Sequence, residues 1–183
     1  MSLQSWQETL ISSSIDGSAL TAAAAATMLP AAAKYTLPAN FLEVGKQLLF
    51  KASGRISCAV TTPGTARYDV RFGATVVADT TAMNLNIVAK TNVNWYLEML
   101  ATCRVIGTAA SLMWQGCWMS EAVIGAALPT VGTSGMFTLP YNAAPAVGNT
   151  FDSTATQQVD VFFTQTVATG SMTCHQYSLV ALN

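Results

Sequence analysis

Chemistry in this chain would have to be assembled from few parts. His175 is the only histidine among 183 residues. It sits beside Cys174, and neighbours on a strand point to opposite faces, so the two do not form a base and a nucleophile in a regular strand. No GxSxG elbow is present to serve a serine nucleophile, and a lone histidine on a strand reads as structural. Cys58, Cys103, Cys117 and Cys174 are scattered, without a CxxC pair or Cys/His ligand spacing, and the acids are not clustered. The phosphate-cradling GxGxxG and GxxxxGK[ST] loops are absent. Glu98 and Glu121 are the remaining option for hydrolysis, since paired carboxylates are what glycoside cleavage uses. They lie on adjacent segments that a hairpin brings near each other, but Glu98 is expected on a solvent face near Arg104 or Lys90. Tyr96, Tyr141 and Tyr177 are candidates for a sugar-stacking platform, with core packing as the default. The chain reads as non-enzymatic, with no catalytic residue, cofactor or metal assigned.

The elements that position these residues are strands, because the apolar period is two. From Lys46, the residues Leu48, Phe50, Ala52, Ile56, Cys58 and Val60 alternate with a polar set, which predicts one long half-buried strand bent or broken near Gly54. Thr62-Pro63-Gly64 makes a turn, and Tyr68, Val70 and Phe72 point inward from the next strand. Gly73 then leads into a return strand at Thr75–Ala78, a meander. Asn94–Ile106 aligns Trp95, Leu97, Met99, Ala101, Cys103 and Val105 on one face. After a turn at Gly107–Ala110, Ser111–Val123 is apolar on both faces, which marks either an interface strand or a central buried one. Residues 125–152 are loop-like around a short strand at Met136–Leu139. Val159–Val167 and Met172–Leu182 are expected to form a terminal hairpin across Thr169-Gly170. About eight strands at long spacing predict an all-β fold, a two-sheet antiparallel β-sandwich of jelly-roll type with an N-terminal extended arm. Residues 35–183 form the sandwich domain. Residues 1–34, with a weak strand candidate at Leu3–Ile15 and an ambiguous Ala/Thr stretch, are either an arm packing on a neighbour or the sandwich's first strands.

Composition points to partners. Hydrophobic residues make up 51 % and charged residues 9 % of the chain, against roughly 25 % charged in an ordinary soluble domain. Interface cores are depleted in charge, so a substantial buried contact is expected; a surface rich in Ser, Thr, Asn and Gln is the alternative. The candidate contact residues are Leu10, Leu20, Met28 and Leu29 in the N-terminal segment and Met113, Cys117 and Met119 on the double-faced strand. No base follows Arg104, while Glu121, Asp152 and Asp160 do; in so sparsely charged a chain the skew reads as chance. A net charge of −1 without clustered Lys or Arg excludes a nucleic-acid surface. MSLQSWQETL does not read as a signal peptide, and no apolar run approaches the roughly 18–20 residues of a membrane helix. Three cysteines fall on apolar faces as small core hydrophobes, which predicts reduced thiols and synthesis in a cytoplasm.

The stretches YTLPANFLEVGKQLLFKASGRIS, TTPGTARYDVRFG and AKTNVNWYLEMLATCRVIG carry a resemblance. In order, they show a Pro-Ala-Asn turn, a Val-Gly before a long strand, a TTPGT turn, a DVRFG strand end, and a Trp-bearing strand ending in Arg-x-Ile-Gly. This pattern, from about Tyr35 to Ile124 and more loosely to Phe151-Asp152-Ser153, resembles a family of tailed-bacteriophage virion proteins. Such proteins look like jelly-roll cement or decoration proteins on the outside of capsids. The resemblance implies a capsid-surface location in the virion, the major capsid protein as partner, and a homo-oligomer, trimeric or dimeric. Related sandwiches in tails and fibres make a receptor- or carbohydrate-binding module the alternative.

Overall fold

A computed structural model describes residues 7–59, 62–125, 135–168 and 170–182. Leu3–Trp6, Val60, Pro129, Gly132 and Thr169, which enter the sequence reading, lie outside them. Thirteen strands and one 3₁₀ turn (Ala31–Ala33) occur among the described residues. The strands are β1 (Gln7–Ser12), β2 (Ala25–Thr27), β3 (Thr36–Leu37), β4 (Gln47–Cys58), β5 (Thr65–Phe72), β6 (Thr75–Asp79) and β7 (Met83–Leu85). They continue with β8 (Lys90–Val105), β9 (Ser111–Ser120), β10 (Val123–Gly125), β11 (Met136–Leu139), β12 (Gln157–Gln165) and β13 (Ser171–Leu182).

All pairings are antiparallel and divide into two sheets, ordered β1-β13-β4-β8-β9-β11 and β10-β7-β5-β12-β2, with β6 also on β5 and β3 also on β12. The order β1-β13-β4-β8 facing β2-β12-β5-(β6, β7) is that of a jelly roll, two Greek keys wrapped into a sandwich. The strands β9, β10 and β11 are an addition that extends one edge of each sheet.

Strand alternation translates directly into burial. Leu48, Phe50, Ala52, Ile56 and Cys58 of β4 are buried while Lys51 and Arg55 are exposed. The strand is not broken at Gly54; it runs through to Cys58, because a Cβ at position 54 would collide with Thr173 O across the ladder to β13. Glycine is what lets the two strands approach there. The sheets meet in an aromatic cluster in which Tyr68 of β5 packs against Trp95 (centroids 5.6 Å apart), Trp118 (4.8 Å, edge-on) and Phe163 (5.3 Å). Trp95 Nε1 donates to Thr173 O at 3.3 Å, whereas Tyr68 Oη and Trp118 Nε1 are buried without a hydrogen-bond partner among the described residues.

Four expectations change. The last two long strands do not form a hairpin: β12 pairs with β2, β3 and β5, and β13 pairs with β1 and β4, so the chain crosses between sheets after β12. Alternation shows that a strand has one buried face but not which sheet supplies its neighbours. Likewise β4 and β5 lie in different sheets, leaving only β5 and β6 as a hairpin of the expected meander. Ser111–Val123 is two strands, for the chain turns at Glu121-Ala122 and β10 joins the second sheet. Val105 is 49 % exposed rather than inward, since the ladder slips between Cys103 and Val105. About eight strands were expected besides the weak candidate that became β1, and the additional short ones are β2, β3, β7 and β10.

The N-terminal segment is extended, and the described part lies on this chain's own sandwich as its first strands. β1 is the edge strand beside β13, and β2 is the edge strand beside β12. Between them Gly17 N and Leu20 N donate to Cys174 O and Met172 O, both at 2.8 Å.

Candidate functional site

The two outer faces of the sandwich differ in character. On the second sheet, outward side chains of β5, β6 and β12 form three ion pairs: Arg67–Asp79 at 2.7 Å, Arg71–Asp69 at 2.5 Å and Lys34–Asp160 at 2.6 Å. The Arg71 guanidinium also lies 3.7 Å from the centroid of the Phe162 ring. This face is internally neutralised, with Asp69 only 1 % and Asp160 6 % exposed.

The outer face of the first sheet is built from transverse rows, one residue from each strand. One row runs Val180, Leu49, Leu100, Gln115 and the next runs Ser12, Ser178, Lys51, Glu98, Cys117, Thr138. A third runs Gln176, Ser53, Tyr96, Met119, Met136. At the centre, Lys51 Nζ lies 3.3 Å from Glu98 Oε2, and Tyr96 Oη donates to the same oxygen at 2.5 Å. The Tyr96 hydrogen bond holds the Glu98 carboxyl below its usual range against desolvation, and Lys51 adds to the lowering. Burial, then the Glu98 carboxylate, push Tyr96 up to about 12. Two grooves flank this cluster. One of about 320 Å³ is lined by Ser12, Lys51, Ser53, Tyr96, Gln176 and Ser178 among others. The other, of about 520 Å³, runs between Glu98 and Leu100 on one side and Pro140 and Pro145 on the other.

A third surface lies at the end of the sandwich that holds the β8–β9 turn. Gly45 N donates to Cys103 O and Cys103 N to Lys46 O, both at 2.9 Å, which seats the turn at residues 43–46, with Val44 in it, against the end of β8. Val147 bridges to Met113 at the start of β9. Val44 (66 % exposed), Val105 (49 %), Ile106 (48 %) and Val147 (50 %) are exposed on the segments that border this end.

The predicted contact residues separate into two groups. Met113, Cys117 and Met119 are half-buried on the outer face of the first sheet, where a contact would need them. Met28 and Leu29 are not surface residues: at 1 % and 4 % exposure they belong to this chain's own core. Leu10 and Leu20 are half-buried and packed against that core. The exposed residues Val44, Val105, Ile106 and Val147 were missed, because strand ends and turns carry no alternation to read.

The chemical candidates are not brought together. Glu98 sits level with Cys117 on β9, and Glu121 lies beyond the end of that strand, so the two are roughly 10 Å or more apart along the ladder. Each also has its own lysine: Lys51 for Glu98, and Lys90, at 2.7 Å, for Glu121. Glu98 does face solvent, but its partner is thus the cross-strand Lys51 rather than Arg104 or Lys90. His175 pairs with Asp16 at 2.9 Å, while Cys174 is buried, its thiol pushed up to about 12 chiefly by desolvation. Tyr177 borders the smaller groove but is only 3 % exposed, and Tyr141 packs edge-on against Phe137, whereas Tyr96 lines that groove half-buried on the outer face of the sheet. Among the described residues no group of three His, Cys, Asp or Glu side chains is placed to hold a metal, all four cysteines are free thiols, and no helix is long and apolar enough to cross a membrane.

No protein-family model, no curated protein and no solved structure matches this chain.

Proposed function

We propose that this chain is a structural protein of a tailed-bacteriophage particle, binding the outer surface of the capsid and stabilising it by subunit contacts. The observation that carries the reading is the set of exposed apolar residues Val44, Val105, Ile106 and Val147 on the segments bordering the β8–β9 end, with Val147 bridged to Met113. Exposed large apolar side chains on a chain with 9 % charge are what an assembly contact uses. The capsid as partner comes from the order of turn motifs between Tyr35 and Ile124. Those motifs are turn chemistry: Asn40 (φ 59°), Gly73 (58°) and Gly107 (103°) all adopt the left-handed backbone. The fold needs no cofactor for this role, and a dimer or trimer would bury the same residues.

The test is co-sedimentation of the purified chain with particles that lack it, with the bound copy number measured. Binding in proportion to capsid subunits, weakened about tenfold or more by the double variant Val105→Asp, Val147→Asp, is the expected result. A chain that stays monomeric at high concentration and does not sediment with particles would overturn it.

A further inference from the structure

We propose that the smaller groove on the outer face of the first sheet is a binding site for a neutral oligosaccharide. The inference stands apart from the capsid reading and uses a different surface from the residues that border the β8–β9 end.

Two adjacent rows make the groove. Ser12, Ser178 and Lys51 form one wall and Gln176, Ser53 and Tyr96 the other, each row crossing β13 and β4 at neighbouring registers. Its volume of about 320 Å³ lies at the lower end of small-molecule sites. The lining is a set of neutral donors and acceptors. The Ser12 and Ser178 hydroxyls make no hydrogen bond among the described residues. Gln176 Oε1 accepts from Ser53 Oγ at 3.0 Å, which leaves the Gln176 NH₂ free to donate. Hydroxyls and an amide offer both donors and acceptors, the combination a polyol satisfies.

Charge sets the class. Lys51 contributes the groove's one cation, and Glu98 Oε2 at 3.3 Å neutralises it. No arginine fork lines the groove to select a carboxylate or phosphate. Tyr96 supplies the apolar element. Its hydroxyl is committed to Glu98 at 2.5 Å, so the ring is held in one orientation, and its half-exposed position leaves ring surface for the C–H face of a sugar. A ring fixed before binding loses little entropy when the ligand arrives. The trough runs across the strands of an open sheet face rather than in a closed cavity, which suits a linear chain of sugar units.

The experiment probes the whole chain on an array of neutral and acidic oligosaccharides, followed by calorimetric titration of the strongest binder. Binding to neutral glycans is expected, weakened about tenfold or more by Tyr96→Ala and by Gln176→Ala, and kept within a few-fold in Tyr96→Phe, which retains the ring. Thermal unfolding of each variant separates loss of the site from loss of the fold. No binding on the array, binding confined to acidic glycans, or affinity unchanged in well-folded Tyr96→Ala each overturns the proposal.

Discussion

Lys34 and Asp160 meet at 2.6 Å, Nζ to Oδ2, and through this contact the N-terminal segment is fastened to the middle of the second sheet. Asp160 also accepts from Thr27 Oγ1 of β2 at 2.6 Å and from Val161 N at 2.8 Å. Its side chain is 8 % exposed and that of Lys34 19 %, so the carboxylate is nearly out of water and the ammonium is partly shielded. One carboxylate thus ties β2 and the end of the N-terminal segment to β12.

Asp160→Ala should therefore destabilise the fold by roughly 1–3 kcal/mol, the cost of leaving Thr27 Oγ1 and the partly shielded Lys34 without their acceptor. Deleting residues 1–34 should be worse, removing both edge strands and the buried Met28, Leu29 and Ala33. Urea unfolding followed by tryptophan fluorescence checks both. A truncated chain that still unfolds cooperatively would show that the edge strands are dispensable.

Tyr68 offers the opposite sign. Its hydroxyl is buried without a partner among the described residues, so Tyr68→Phe removes an unsatisfied group and should leave stability unchanged or raised. Tyr68→Ala, which empties the aromatic cluster between the sheets, should cost about 3–5 kcal/mol. A clear loss of stability in Tyr68→Phe would mean that the hydroxyl has a partner in solution.

The thiols should react in two classes. Cys58, Cys103 and Cys174 are buried, and desolvation raises all four thiols above their ordinary value of 9.0. Cys117, half-buried on the outer face of the first sheet, should be the first modified by a thiol reagent at neutral pH, and the other three should follow only on unfolding. Modification counted by mass spectrometry against time decides it.

The Glu98 cluster gives stability a pH dependence at both ends. Because the folded-state pKa of Glu98 is lowered, its contribution is complete above the ordinary 4.5 and is lost as pH falls below it. Tyr96 is raised from 10.0 to about 12, so its contribution is complete below 10 and is lost as pH rises from 10 through 12. Both effects are small, since the Glu98 side chain is 39 % exposed and solvent screens the pair. Glu98→Gln should flatten the acid limb and lower the ionisation midpoint of Tyr96, read by ultraviolet titration.

Much of this protein was settled along the chain alone. The alternation in β4, β5 and β8 placed Leu48, Phe50, Tyr68, Val70, Trp95 and Leu97 inward, because a pleated strand with one buried face has no other way to arrange them. The same rule put Met113, Cys117 and Met119 together on the face of β9 opposite Trp114 and Trp118, and the structure made that face the outer one. What only the tertiary structure decided is which strands are neighbours. The crossover from β12 to β13, the seating of β1 and β2 as edge strands, and the meeting of Ser12, Ser178 and Lys51 with Tyr96 all depend on pairings between segments far apart in sequence. A strand's period records that one side is covered and is silent about what lies beside it, so a groove built across four strands is absent from any one of them.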